Sequence, residues 1–464
     1  MNSIQYAGEF LLKELKIHTS SGTVLDITKQ VASVDLYEDI FSTAMSGEVA
    51  FLDVDNLTEN GPILGQEFMT LKITTPSLDE EEINFTNASF VIHKLGTKID
   101  ANANTQLIVL KFTTPELIRN KRVRVSKSYT DSIDKIVESI MRDKRYINTN
   151  KNLYIEPTAG IRKVISPNYH PYDFITNLAT DALNKKYASS YFLFFENTKG
   201  IHFRTLQSLY NSSTVAYFND GDAGTVLNEG RTRDLEKEFN TALSYEPATQ
   251  NDMLANVMGG LLGSTFIEYN LFHKKYAVKE YGYFDNFGDF ERVNAKDKSR
   301  DNPIYSEGSI DDLDNNVGDF KSARIFLQPT SINESNQSDA IHYNTNTSSY
   351  SFKPNNKIKS ISQNMAKMFE LNSTISATMQ VNGHCNLAAG RIVQVSRPAG
   401  GPGEFDDEFT GKFLITKLRH IFDQGTRKHE VLMHVAKDSS VGVDNGPVKQ
   451  PKGRKQPVID LSEY

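Results

Sequence analysis

The 464-residue sequence holds a single cysteine, Cys385, which excludes an intrachain disulfide framework and a cysteine-rich zinc site. A lone thiol of this kind is expected to sit as a small buried hydrophobe. No stretch approaches the roughly 18–20 apolar residues that a membrane-crossing helix requires. Residues 1–10 lack the basic start and apolar core of a secretory signal. Positive charge is in deficit: 51 Lys and Arg stand against 58 Asp and Glu, a net charge of −7. That balance argues against a general grip on nucleic acid, which needs basic grooves for phosphates. The length points to about three domains.

What the sequence does have is one pattern used twice. Phe90-Val91-Ile92-His93-Lys94-Leu95 is followed five residues later by Asp100, and Phe413-Leu414-Ile415-Thr416-Lys417-Leu418 is followed at the same distance by Asp423. Each copy passes through a polar link (101–105; 424–428) into an apolar run (107–112; 431–435). Each is preceded by Phe-Thr (Phe85-Thr86; Phe409-Thr410) and by a strand led by a glycine, Gly65 in one copy and Gly390 in the other. Strand, turn, strand and upstream glycine in one order mark a β-module used twice. A chain with two copies can imitate a ring of twice as many subunits, and closed rotational symmetry is the usual state of soluble assemblies. The plainer alternative is a two-barrel protein from gene duplication, with no ring.

Along the chain, residues 7–115 read as closely spaced strands with turn signals at 55–62 and an acidic loop at 79–82, the pattern of a barrel or sandwich. From about Pro115 the period changes. Ser128-Tyr129-Thr130-Asp131 is expected to cap a helix that places Ile133, Ile136, Val137, Ile140 and Met141 on one face. A second helix starts near Pro171, and a hairpin is expected over 191–204. Strand candidates follow at 264–269 and 276–283. Residues 285–355 read as a long polar excursion with a little order near 323–327. An amphipathic helix through Ile358 to Phe369 leads into the alternation Ile375, Ala377, Met379, Val381. After about Lys437 comes a tail of Gly, Pro, Lys and Ser with apolar spots at Val458, Ile459 and Leu461, read as a candidate docking point.

Candidates for chemistry are weak. His420, His429 and His434 lack metal-site spacing, and a structural role is favoured. His384 beside Cys385 is adjacent in sequence only, whereas catalytic pairs come from separated segments. Asp311-Asp312-Asp314 and Asp406-Asp407-Glu408 read as solvated loops rather than calcium or glycosidase sites. Gly259-Gly260-Leu261-Leu262-Gly263 lacks the Lys-Ser/Thr of a phosphate loop and reads as a link or bulge. The aromatic stretch 276–290 is read as sheet packing rather than a sugar platform. No catalytic residue, cofactor or metal ligand is nominated.

The stretch Ile165-Ser166-Pro167-Asn168-Tyr169-His170-Pro171-Tyr172-Asp173-Phe174-Ile175, with Leu178-Ala179, Phe192-Leu193-Phe194-Phe195-Glu196 and Gly200-Ile201-His202-Phe203-Arg204, resembles the central baseplate hub proteins of T-even-type contractile-tailed phages. The resemblance spans roughly residues 7–440; segment 285–355 and the tail do not follow the family's pattern. It implies a mainly β α+β fold with two tail-tube-like barrels, related to the hub module of type VI secretion VgrG spikes. The divisions expected are a first barrel (1–115), an inserted α+β domain (116–235), the second barrel in two parts (236–284 and 356–440), the polar insertion (285–355) and the tail (441–464). The implied function is a non-enzymatic homotrimer whose six modules adapt a six-fold tail tube to a three-fold central spike around a channel for DNA. Implied partners are the tail tube protein or a tube initiator, the spike, other baseplate proteins and the tape measure. The implied place is the virion baseplate, after synthesis in the host cytoplasm. A net charge of −7 would suit a conduit wall that must release DNA. The alternatives are a tail-borne cell-wall hydrolase and a carbohydrate-binding tail protein.

Overall fold

Eight strands make the first module: β1 (Leu11–His18), β2 (Val24–Asp26), β3 (Val31–Asp39), β4 (Ser46–Asp53), β5 (Phe68–Thr74), β6 (Ile83–Asn84), β7 (Phe90–Asn102) and β8 (Thr105–Thr113). The computed structural model describes residues 6–54, 63–76, 82–102, 105–186, 189–220, 234–249, 252–270, 274–294, 303–305, 315–330, 356–370, 374–398, 406 and 408–440. The expected turn at 55–62, residues 79–81 of the acidic loop, Asp311-Asp312-Asp314 and Asp407 lie outside these. In β3 and β4 alternate residues are buried, as a sheet with one covered face requires. Val34, Leu36, Val49, Phe51, Ile108, Leu110 and Phe112 fill one core, which also takes in Cys385.

Between the modules lies a compact α+β unit. It carries β9 (Ser128–Asp131), β10 (Leu153–Ile155), β11 (Arg162–Ile165), β12 (Leu193–Asn197) and β13 (Gly200–Arg204), with helices Pro115–Arg122, Ile133–Arg142 and Pro171–Asp181. Ile133, Ile136, Val137, Ile140 and Met141 are all buried against Phe174, Ile175 and Leu178. Ser128–Asp131 is a strand paired with β11 rather than a helix cap; Tyr129 points into the core, and the N-cap is Ser132. The expected hairpin forms as β12 and β13. Gly200 adopts a φ of +146, and a Cβ there would lie 2.5 Å from the Asn152 carbonyl oxygen, so only glycine fits.

A buried charge cluster clamps this unit to the first module. The Lys151 ammonium lies 2.8 Å from Glu116 and 2.6 Å from Glu196, and all three are nearly inaccessible. Thr149 donates to Glu116, while Thr114 and the Met45 amide donate to Glu196.

The second module uses β14 (Thr214–Asn219), β15 (Ala242–Thr249), β19 (Ile375–Asn382), β20 (Ile392–Ser396), β21 (Gly411–Asp423) and β22 (Lys428–Lys437). A bridge between Asn219 and Thr241 brings the end of β14 back beside the start of β15. The helix Asn356–Glu370 buries Ile361, Met365 and Phe369 beneath it. β16 (Gly263–Asn270), β17 (Lys275–Gly282) and β18 (Ile325–Thr330) form their own three-stranded sheet. Gly260 caps the helix Met253–Gly259 in the left-handed conformation and leads into β16.

Among the described residues both modules belong to one 14-stranded sheet: eleven strands run in the order β15-β19-β22-β21-β3-β4-β8-β7-β5-β1-β2, β20 joins through β21 and carries β14, and β6 joins through β5, so the fold is mainly β with large antiparallel sheets. The copies agree in register as far as Leu95 and Leu418, after which β7 carries two further irregularities that β21 lacks. In β7–β8, Ile92 stands opposite Phe112 and Lys94 opposite Lys111, which leaves His93 as a bulge. In β21–β22, Ile415 stands opposite Val435 and Lys417 opposite His434, which leaves Thr416 as a bulge. All four equivalent pairs are 323 positions apart. A second bulge repeats as well, between Val31 and Ser33 in β3–β4 and between Ala242 and Ser244 in β15–β19. Bulges re-aim strands at fixed places, so their coincidence reflects a shared architecture. The copies differ at one margin: β1 runs antiparallel to β5, whereas β14 runs parallel to β20.

Packing across the equivalent strands is complementary. Gly47 faces Phe112 in the first module, and Ala377 faces Val435 in the second. A Cβ at Gly47 would sit 2.3 Å from the Phe112 ring and 2.4 Å from the Asp35 carbonyl oxygen. Gly47→Ala is therefore expected to destabilise the protein by about 1–3 kcal/mol through overpacking. Phe112→Leu should recover only part of this, because the Asp35 carbonyl stays in place. Urea denaturation measures both, and a Gly47→Ala loss under about 0.5 kcal/mol, the range of neutral surface changes, would refute the clash.

Candidate assembly surface

The modules meet at a strand-to-strand seam. The outer half of β21 pairs antiparallel with β3, from Lys417 opposite Asp39 to Asp423 opposite Ser33. The inner half of the same edge pairs with β20. Charges line up across the seam. Arg419 Nε lies 3.1 Å from Asp35, and Lys417 lies 3.8 Å from Asp39. These pairs are partly exposed and fix register more than they stabilise. Apolar residues bind the seam to both cores: Leu418 enters the second and Phe422 the first, where it stacks on His429 at 4.1 Å and meets Phe10 edge-on at 5.2 Å. A cleft of about 410 Å³ opens over the seam, lined by Tyr37, Asp39, Lys417, Arg419 and His434 among others.

Glu38 is the polar keystone of the seam. Its two carboxyl oxygens accept from the Thr198 and Ala389 amides, each at 2.7 Å, which ties β3 to the inserted unit and to the second module. Burial pushes its pKa up to about 7 despite these two donors.

His202, His420 and His429 are buried, and His434 is half-buried. His420 Nδ1 and His429 Nε2 lie 3.0 Å apart in a fully buried pair, so one donates and the other accepts. Burial lowers the pKa of His420 to about 3 and holds His429 well below the ordinary imidazole value. His434 Nδ1 pairs with the Thr416 hydroxyl at 2.7 Å. His202, stacked between Tyr154 and Phe195, is pushed by burial to about 3. Among the described residues no three His, Cys, Asp or Glu side chains gather as a metal ion would need. Cys385 is buried, 3.4 Å from the Thr75 hydroxyl. Asp406 caps a turn and lies 3.8 Å from Arg397. In the aromatic stretch, Tyr281, Tyr283, Phe287 and Phe290 are buried and Tyr276 is exposed.

The repeated residues occupy unequal surroundings. Phe90, Ile92, Phe413, Ile415 and Leu418 are buried. Leu95, the counterpart of Leu418, is 43% exposed, against 3% for Leu418. Gly65 and Gly390 share left-handed φ values of +89 and +84, but they are one step out of register. The Ile92 amide donates to Glu67 and the Ile415 amide to Arg391, which places Gly65 level with Ala389. Val458, Ile459 and Leu461 lie outside the described residues. Sequence reasoning missed the seam itself, because β3 and β15 share too few residues to show as copies. The recurring basic-against-acidic content of the paired strands was the available signal.

No protein-family model and no curated protein matches the sequence. Solved structures show likeness at low identity. A tail protein from Neisseria meningitidis MC58 aligns at 10% identity with a TM-score of 0.47, over 93% of this chain and 97% of that one. The 43 kDa tail protein of prophage MuSo2 from Shewanella oneidensis aligns at 8% identity and a TM-score of 0.46, over 92% and 99%. The E. coli c3393 protein, a type VI secretion component similar in structure to T4 bacteriophage tail proteins gp27 and gp5, aligns at 11% identity and 0.41, over 93% and 77%. These similar chains are tail and secretion proteins.

Proposed function

We propose that this chain is a structural hub of a contractile-tail baseplate. Three copies close into a ring of six similar modules, which meets a six-fold tail tube on one face and a three-fold central spike on the other. The observation that carries this reading is the repeated strand pairing: the His93 bulge recurs at Thr416, 323 positions on, and the bulge after Val31 recurs after Ala242, 211 positions on. Two modules of one architecture, fused edge to edge in a chain, supply the pseudo-equivalence that such a ring needs. The domain divisions given above, and the docking of Val458, Ile459 and Leu461 on a partner, belong to this reading. So do contacts with a tube protein or initiator, the spike, neighbouring baseplate proteins and the tape measure. DNA passes through without specific binding, and no catalysis is involved. Obligate interfaces of this kind bury more than about 2,000 Å².

The test is the mass in solution by light scattering, alone and with the spike partner. The expected value is three times 52.2 kDa for the hub component. A monomer or dimer under both conditions rejects the ring.

A further inference from the structure

The seam between β21 and β3 has a counterpart that the single chain leaves open. β7 is the copy of β21; among the described residues its matching edge is paired through Phe90 and Val91 with β5 and through the Ile92 amide with the Glu67 carbonyl, and no strand pairs with it beyond that. From His93 to Ile99 the side chains of β7 are exposed or half-buried, and Ile99 is 52% exposed. The matching stretch of β21 is covered by β3 and largely buried, with Phe422 at 1%. β15 is the copy of β3: Asp35 faces Glu48 as Glu246 faces Thr378, on the equivalent strands β4 and β19. β15 pairs with β19, and among the described residues no strand lies along its other edge. Glu246, Pro247 and Ala248 there are exposed. Among the described residues one seam is filled, and the two halves of its copy stand without a partner strand.

We propose that the outer half of β7 in one chain pairs antiparallel with the open edge of β15 in a second copy, repeating between chains the seam found within one. The proposal rests on the ring reading above and names its contact surfaces. Three features favour a second copy as the occupant. An unpaired edge is a template for strand addition. The charge pattern recurs in part: Lys417 and Arg419 meet Asp35 and Asp39 within the chain, and Lys94 and Glu246 stand at the positions of Lys417 and Asp35. Exposed apolar side chains flank both halves, Leu95 and Ile99 on one and Leu254 and Met258 on the helix just after β15 on the other. The two half-sites differ, so the contact is head-to-tail, and such contacts make rings when the rotation closes. Pro247 takes one donor from this edge, so the seam between chains is expected to be shorter and centred on residues 244–246.

Register can be counted through the partner strands. Ile99 faces Leu107 as Ile421 faces Glu430, and Ile421 in turn faces Asp35. That count sets Ile99 against Glu246. The test is disulfide trapping in the full-length chain, with Ile99→Cys combined in turn with Tyr245→Cys, Glu246→Cys and Pro247→Cys, under mild oxidation. Light scattering runs in parallel, with and without the spike partner. The expected result is covalent dimers and trimers on a denaturing gel, strongest for Ile99→Cys/Glu246→Cys, and neither from the single variants. Trimer mass with no trapping in any register overturns this seam and leaves the ring standing. Trapping that runs on past the trimer supports the seam and overturns the three-copy ring. A monomer under all conditions overturns both. As a second reading, Leu95→Asp/Ile99→Asp should reduce the mass to that of a monomer with an unchanged melting temperature, and a persistent trimer counts against the seam.

Discussion

Replacing Lys151 with methionine is expected to cost about 3–5 kcal/mol at pH 8, the range for breaking a buried ion pair from one side. The ammonium is the counter-charge for both Glu116 and Glu196, which are almost wholly buried. Burial alone would lower the Lys151 pKa, yet the two carboxylates more than reverse it, so the residue is charged in the folded state. Burial, with Glu116 nearby, pushes Glu196 up. Without Lys151 this push grows. A carboxyl raised in the folded state contributes stability that is present below its unfolded value and lost as pH rises through its folded value. The Lys151→Met deficit should therefore be larger at pH 8 than at pH 5. Urea denaturation at both values tests it, and Lys151→Met/Glu116→Gln/Glu196→Gln should regain most of the loss. A deficit under about 1 kcal/mol at pH 8 would falsify the clamp.

Acid should weaken the protein from about pH 6.5 downward. His202, His420 and His429 are buried and neutral, with depressed pKa values. A base depressed on folding contributes stability that is full above its unfolded value of about 6.5 and lost as pH falls toward the folded value. Each such histidine costs about 1.4 kcal/mol per pH unit in that window, so three cost about 4. Glu38 acts in the opposite sense. Raised to about 7, its contribution is present at low pH and lost as pH rises through 7, so it offsets about one histidine over pH 4.5–7. The net expectation is a steep fall in the urea midpoint between pH 6.5 and 5. His420→Leu/His429→Leu should flatten that slope by about two protons' worth. An equal slope in the variant would remove the pair as the cause.

Much of this was legible in the sequence because it depended on local period. The copied hairpin showed through Phe90 and Ile92 and their partners Phe413 and Ile415, since these face cores, while Leu95 matches Leu418 in sequence although it is exposed. The helix Ile133–Arg142 and the hairpin β12–β13 showed for the same reason. The seam did not, because strand neighbours far apart in sequence leave no periodic trace. β3 and β15 keep only Ser33 with Ser244 and Asp35 with Glu246 as recognisable equivalents. Ser128–Asp131 looked like a cap because polar residues precede an apolar helix, and pairing with β11 overrode that preference. The charged clamp was hidden too: Glu116, Lys151 and Glu196 are ordinary polar residues until the fold gathers them.

The opposed residues Gly47 with Phe112 and Ala377 with Val435 bear on how the halves diverged. Each half has settled its own division of one shared volume, so neither member of a couple is free to drift alone. Anyone building a chimaera from the two halves must therefore transplant facing strands together; a single exchanged strand would bring either a collision or a hole.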